Sequence, residues 1–301
     1  DSPADQLLIN ADIALYRAKA MGRNRFAYFT DALQAEVLET KALSDDILRA
    51  IDTGAFSVAY QPQVAAQSGE IVGVEALVRW RHPTRGLLRP AEFLSVAQDL
   101  NVLPQIDTQV MQQAMRDDAA WRKQGLLVPR LSVNVSGGRL RDQQLIEDIK
   151  ASDIKPGRLA IEILESVFVD EEDEVLNWNI DQLREMGVEI ELDDFGTGHS
   201  SIIGLLRLKP RRLKIDRSFI EQTLHRANDA TVIRALVQIG ASLDVEVVAE
   251  GVETRAQGKR LAALGCHVLQ GYAYAGPMTA EDLAEYLRAR LPVDANAHIG
   301  T

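Results

Sequence analysis

Val188-Glu-Ile-Glu-Leu-Asp-Asp194 decides how the rest of the chain is read. Aliphatic residues alternate with acids over five positions, as a strand requires, and the run then passes straight into two aspartates. Gly187 stands just before it, where a preceding helix should stop, and Leu176, Ile180 and Leu183 at i, i+4 and i+7 signal that helix. Outward from this unit the same rhythm recurs. Strands are predicted at 57–62, 71–80, 130–135, 159–163, 188–192, 212–216, 245–249 and 267–270. Helical spacing returns at Val232, Leu236, Ile239 and Leu243, Gly265 marks a further stop, and Leu283, Leu287 and Leu291 close the pattern. Eight strands alternating with helices predict an α/β fold, a modified TIM (β/α)8 barrel. An open doubly wound sheet satisfies the same periodicity.

Residues 1–30 do not read as a domain. Leu7, Leu8, Ala11, Leu15 and Ala18 have helical spacing, Gly22 ends that helix, and Arg25-Phe-Ala-Tyr-Phe29 reads as one short strand. A helix and a strand cannot bury a core unaided, so this stretch is expected to be the tail of an upstream domain. Residues 31–53 read as a polar helical connector, 54–291 as the main domain and 292–301 as a flexible tail. The chain begins at Asp1 and reads as a piece of a longer protein.

Composition narrows the function classes. Of 301 residues, 46% are hydrophobic and 26% charged, which is ordinary globular chemistry. Lys plus Arg total 33 against 44 for Asp plus Glu, a net charge of −11, the wrong balance for a duplex-binding surface. The single cysteine, Cys266, excludes an internal disulfide and a cysteine zinc cage, and is expected to be buried and inert. It fits a reducing, cytoplasmic compartment. No apolar run approaches the ~18 residues of a membrane span, so no membrane contact is expected from this segment, any anchor lying elsewhere in the parent protein.

The chemistry lies in the polar residues on or just past the strands. Glu75 follows Ile71-Val-Gly-Val74, Asn134 sits in Leu131-Ser-Val-Asn-Val135, and Glu162 in Leu159-Ala-Ile-Glu-Ile163. Asp193 and Asp194 end the opening stretch, Lys214 sits in Arg212-Leu-Lys-Ile-Asp216, and Glu250 and Gln270 end the last two strands. In an α/β barrel these ends meet at one rim, where active sites lie. Taken singly, each acid has an ordinary explanation as a helix cap or loop charge. Jointly they crowd carboxylates that repel one another unless a cation neutralises them. The all-oxygen set of Glu75, Asn134, Glu162, Asp193, Asp194 and Glu250 suits magnesium or manganese, and five carboxylates exceed what one such ion takes, so two ions are expected. Paired ions ~3.5–4 Å apart are the recurring device for phosphoester hydrolysis.

Other motifs are weak. Gly196-Thr-Gly198 lacks the third glycine of a dinucleotide fingerprint, Ser201 standing there, and no P-loop or GxSxG occurs. The five histidines show neither HxH nor HExxH spacing. Trp80, Trp121 and Trp178 are expected in core or interface packing.

From Glu75-Ala-Leu-Val-Arg-Trp80 onward the chain resembles the EAL-domain cyclic-di-GMP phosphodiesterases, over roughly residues 40–290. Tyr60-Gln-Pro62, Ser132-Val-Asn-Val-Ser136, Glu162-Ile-Leu-Glu-Ser166, Asp193-Asp-Phe-Gly-Thr-Gly198, Leu213-Lys-Ile-Asp-Arg-Ser-Phe219, Ala249-Glu-Gly-Val-Glu-Thr254 and Gln270-Gly-Tyr272 carry the resemblance in order. It implies a modified barrel, hydrolysis of cyclic di-GMP to linear pGpG, and dependence on two magnesium or manganese ions, with calcium inhibitory. It carries the same six oxygen donors over as metal ligands. It implies that Lys214 holds or polarises the attacking water, that Glu250 also serves catalysis, and that Glu165 braces the Asp193–Gly198 loop near a homodimer contact. Gln61, Leu77, Arg79, Glu253, Gln270, Tyr274 and Pro277 are implied as substrate contacts.

Ala14-Leu-Tyr-Arg-Ala-Lys-Ala-Met-Gly-Arg-Asn-Arg25 resembles the last helix and strand of a GGDEF domain, whose signature is absent, so no cyclase activity is implied. Gln98, Leu164 and Lys209-Pro-Arg211 depart from the family pattern without removing a metal ligand. Two alternatives stay open: a catalytically weak receptor for cyclic di-GMP, and an unrelated barrel enzyme acting on sugar phosphates.

Overall fold

The computed structural model describes residues 3–20, 22, 24–168, 173–196, 202–223 and 230–290. Residues 1–55 with 91–102 form one compact unit, and residues 56–90 with 103–301 the other. The expected tail 292–301 lies outside the described residues.

In the first unit, helix Pro3–Ala20 forms as its spacing predicts, and helix Asp31–Thr53 covers the polar connector. The second helix begins where the Thr30 hydroxyl accepts from Leu33 N at 3.1 Å, and ends at Gly54 in a left-handed conformation. Arg17 Nη1 lies 2.7 Å from Glu36 Oε1, tying the two helices together. The strand expected at Arg25–Phe29 is not formed. No second strand is described in this unit to take its backbone hydrogen bonds, and a lone strand is not stable in water. Phe26 and Tyr28 are each 79% exposed.

The second unit is the barrel. Its strands are β1 (Phe56–Ala65), β2 (Ile71–His82), β3 (Gly86–Leu88), β4 (Leu131–Asn134), β5 (Leu159–Leu164), β6 (Glu189–Phe195), β7 (Arg212–Ile215), β8 (Glu246–Ala249) and β9 (Val268–Gln270). They pair in the order β1-β9-β8-β7-β6-β5-β4-β2-β3, and β1 also pairs with β2, which closes a ring of eight with β3 as a hairpin extension of β2. All eight predicted strands are present; β3 was not expected. The ring is parallel except at β1, which runs antiparallel to both β2 and β9. The cause is local. Only Ala66 to Glu70 join β1 to β2, with Gly69 in a left-handed conformation, and so short a connection cannot make a parallel crossover.

Strands buried on both faces usually read as continuous apolar runs. Here they alternate, because the polar face is the inside of the barrel. Val74, Ala76, Leu131, Val133, Ile161, Ile163, Ile190, Leu192, Leu213 and Ile215 are buried, and the residues alternating with them include Glu75, Ser132, Glu162, Glu191, Arg212 and Lys214, also buried. Hydrophobic stabilisation therefore comes from the strand–helix layer, at about 25 cal/mol per Å2 of apolar surface. The barrel interior is left for hydrogen bonds and ion pairs. Trp80, Trp121 and Cys266 are buried as expected, and burial pushes the Cys266 thiol up to about 12. Trp178, on helix Glu174–Glu185, is 51% exposed and is no part of the core. Among the described residues no helix is long and apolar enough to cross a membrane.

Candidate active site

Strand alternation sends Glu75, Asn134, Glu162, Asp193 and Lys214 to the inside at the C-terminal end of the parallel strands. Lys214 is the centre. Its Nζ lies 2.6 Å from Glu162 Oε2, 2.6 Å from Glu250 Oε1, 3.4 Å from Glu75 Oε2 and 3.6 Å from Asp193 Oδ1. Four acids from four segments thus meet at one ammonium. Asn134 Nδ2 donates to Glu75 Oε1 at 2.9 Å, and Gln270 Nε2 donates to Glu75 Oε2 at 2.5 Å.

Asp193 and Asp194 sit at an irregularity in the β6–β7 pairing, where the register shifts between Leu192 and Phe195. Asp194 takes a positive φ of 55°, a conformation that Asp tolerates better than most residues, and its N–H donates to Asp193 Oδ1 at 2.9 Å. The bulge lets two successive acids stay near one site instead of pointing to opposite faces.

The electrostatics are unbalanced. Burial opposes the charge on Lys214, but Asp193, Glu162, Glu250 and Glu75 outweigh it and hold the ammonium well above the ordinary lysine range. Burial, reinforced by Glu75, pushes Glu162 well above the ordinary carboxylate range. Burial pushes Glu250 and Asp193 up as well, with Lys214 offsetting part of it in each. Asp194 rises to about 6 through burial and then the charges of Asp193 and Asp216. Glu75 alone is lowered: burial would raise it, but Lys214, Gln270 and Asn134 more than compensate.

The residues fit hard divalent ions. All donors are oxygens, five are carboxylates, and only one buried cation among the described residues faces them. Glu162 Oε1 is buried with no hydrogen-bond partner, and Glu250 Oε1 touches Lys214 without hydrogen-bond alignment. No three His, Cys, Asp or Glu side chains among the described residues form a preset metal cage. The carboxylates instead close on the Lys214 ammonium, the counter-charge at hand.

The residues expected at the substrate are spread more widely. Gln61 and Gln270 are buried and direct their amides into the protein: Gln61 Nε2 donates to Ala275 O at 3.0 Å, and Gln270 Nε2 to Glu75. Leu77 and Pro277 are half-buried. Arg79 is half-buried in β2, and burial together with the charge of Arg89 lowers its pKa. Glu253 is exposed and pairs with Arg217 at 2.6 Å. Tyr274 lies under the Arg255 guanidinium, 4.3 Å from the ring centroid. Glu165 opens a 3-10 turn, Glu165–Phe168, directly after β5. The loop it was expected to brace, near the expected homodimer contact, is described only to Gly196; Thr197 and Gly198 lie outside the described residues.

A layer of buried polar residues is not among those the sequence reading points to. Gln63, Ser132, Glu191 and Arg212 lie inside the barrel below the acids. The signal was available: each stands two positions along a strand from a residue singled out, namely Gln61, Asn134, Asp193 and Lys214, and so shares its face.

Comparison with known proteins agrees with this geometry. The profile of the EAL domain matches residues 44–277. The bifunctional diguanylate cyclase/cyclic di-GMP phosphodiesterase MucR of Pseudomonas aeruginosa is 39% identical over 282 residues, covering 92% of this chain and 41% of MucR. The cyclic di-GMP phosphodiesterase NbdA of the same organism is 35% identical over 292 residues, covering 95% of this chain and 37% of NbdA. The chain thus spans about two-fifths of the length of these relatives. A solved structure of the PaMucR phosphodiesterase in complex with c-di-GMP superposes with a TM-score of 0.74 at 38% identity, covering 80% of this chain and 99% of that one.

Proposed function

The chain belongs to the EAL domain family, and from that premise we propose that it hydrolyses cyclic di-GMP to linear 5′-pGpG with the help of divalent cations. The observation that carries this reading is the meeting of Glu75, Glu162, Asp193 and Glu250 around Lys214 Nζ within 3.6 Å. Magnesium or manganese would be held by those four acids with Asp194 and the amide oxygen of Asn134. The ions would supply the positive charge that brings a phosphodiester into an acidic site and makes a water acidic enough to attack at neutral pH.

The chain's own residues do the rest. Asn134 and Gln270 donate to the two oxygens of Glu75 and fix its orientation. Lys214, gripped by Glu162 and Glu250, cannot swing away, so its N–H groups orient the attacking water and offset charge that develops on phosphorus. Arg79 is proposed to contact a phosphate, which its cation suits, and Tyr274 with the Arg255 guanidinium stacked on it is proposed to border the dinucleotide. Burial of Glu75, Glu162 and Lys214 keeps bulk water from these contacts and strengthens them.

The test is incubation with cyclic di-GMP in magnesium, manganese, calcium or chelator, with chromatography of the products. Linear pGpG should form in magnesium or manganese, and neither in chelator nor in calcium, which supports binding only. Binding with no product in any metal would replace the hydrolase by a receptor.

A further inference from the structure

The interior of this barrel carries a directional hydrogen-bond chain that begins away from the acids. Arg212 Nη1 donates to Gln63 Oε1 at 3.0 Å, Gln63 Nε2 donates to Gln270 Oε1 at 3.0 Å, and Gln270 Nε2 donates to Glu75 Oε2 at 2.5 Å. Its polarity is forced. A guanidinium only donates, so the Gln63 atom facing Arg212 must be the oxygen. Gln63 must then present its NH2 to Gln270, and Gln270 must present its NH2 to Glu75. Neither amide can flip without setting two acceptors or two donors face to face.

The start of the chain is itself anchored. Arg212 Nε donates to Glu246 Oε2 at 2.9 Å, Nη1 lies 3.4 Å from Glu191 Oε1, and Ser132 Oγ donates to Glu191 Oε2 at 3.0 Å. Space is reserved for the middle. Gly73 pairs with Gln63 across β1–β2, and a Cβ there would stand 3.0 Å from Gln63 Oε1 and 3.2 Å from Arg130 O. Gln63 is fully buried where such barrels normally place branched aliphatics.

We infer that Gln63 is a positioning residue for the metal-and-phosphate site: with Arg212 it fixes the amide of Gln270, and through it the Glu75 carboxylate. This rests on the hydrolase reading above and adds to it a residue that touches neither ion nor substrate. Partners of this kind behind a ligand typically carry a 10–100-fold effect on metal affinity.

Gln63→Glu separates the alternatives, because it keeps an acceptor for Arg212 but removes the donor to Gln270. Gln270 then has an acceptor on both sides, residue 63 and Glu75, so whichever way its amide turns one contact is lost and the Glu75 carboxylate is less firmly aimed. Manganese binding would be measured by calorimetry, with thermal unfolding in chelator and steady-state hydrolysis of cyclic di-GMP alongside. Gln63→Glu should weaken manganese binding by at least 10-fold. Gln63→Met, which removes the donor to Gln270 but leaves Gln270 its bonds to Glu75 and Gln61, should weaken it by a smaller factor, and it serves as the second variant if the glutamate fails to fold. A merely structural role would lower unfolding temperatures and leave the manganese affinity of the folded variants unchanged. Manganese affinity within 2-fold of wild type in the folded variants overturns the positioning role. If wild type itself neither binds manganese nor hydrolyses the dinucleotide, the hydrolase reading fails and takes this inference with it.

Discussion

The two ends of the barrel interior solve the problem of buried charge differently. At the N-terminal end of the parallel strands, Arg130 and Arg212 face Glu189, Glu191 and Glu246 through ion pairs at 2.9–3.9 Å together with a closer Arg130–Glu189 contact. Glu246 shows the result: burial would raise its pKa, but Arg212, Arg211 and Arg130 hold it below the ordinary carboxylate range. At the C-terminal end, Lys214 alone faces Glu75, Glu162, Asp193 and Glu250, with Asp194 nearby, and burial pushes most of these acids up. With Arg211, which pairs with Glu246 at 2.9 Å, three arginines meet three glutamates at the first end, so its formal charges balance. The second carries surplus negative charge that proton uptake or an added cation relieves. Balance marks the structural end, and imbalance marks the end proposed to bind the ions.

The sharpest way to break that comparison is to unbalance the quiet end. Arg212→Met leaves Glu191 buried without its nearer partner and should cost about 3–5 kcal/mol in urea denaturation, with no recovery in magnesium. Recovery by magnesium would show that ions at the acid end make good the charge lost at Arg212. Lys214→Met acts on the other end. Turnover should fall roughly 100–1000-fold, about 3–4 kcal/mol of transition-state stabilisation. The variant should also be less stable in chelator than in magnesium, because the ions take over the lost counter-charge; turnover within 3-fold of wild type would remove Lys214 from the chemistry.

Two smaller tests lie outside both clusters. Asp107 accepts from Ser136 N at 2.8 Å, and burial raises it to about 6. A carboxyl whose folded pKa exceeds its unfolded value stabilises the fold at low pH and loses that contribution as pH climbs from about 4 to about 6. Asp107→Asn should therefore gain about 1–2 kcal/mol relative to wild type between pH 4.5 and 7.5, after allowance for residual solvent screening. A pH-independent gap between the two would show that Asp107 is not titrating there. Thr279→Ala removes the hydroxyl that accepts from Asp282 N at 3.2 Å at the start of helix Ala280–Arg288. It should cost about 1 kcal/mol by denaturation and leave turnover untouched, as an ordinary cap would.

Much of this was legible in the sequence, for reasons that particular residues make plain. Val188 to Leu192 alternate because one face meets helices and the other meets the barrel interior, so both strand and site could be read from a single run. The acids at the strand ends converge because parallel strands in a closed ring share one rim. What escaped is not carried by strand and helix spacing. The direction of β1 depends on its short link to β2, and period-two spacing is blind to direction. The strand expected at Arg25–Phe29 has suitable residues but no described partner within its unit, and pairing is not a local property. Gln63 and Arg212 were passed over because an amide and a guanidinium in a strand usually face water; only closure of the sheet turns their face inward.

The reversed first strand has a consequence for synthesis. Gln63 finds Gln270 across β1–β9, 207 positions along the chain, and Gln270 in turn supplies a donor to Glu75. A nascent polypeptide that has not yet released its ninth strand from the ribosome holds the acids but lacks the seam that joins the ring. Contacts of such long separation form late, because the loop entropy must be overcome first. Competence for chemistry is therefore withheld until translation has passed residue 270, and a product cut short before that point carries the signature acids without the means to aim them.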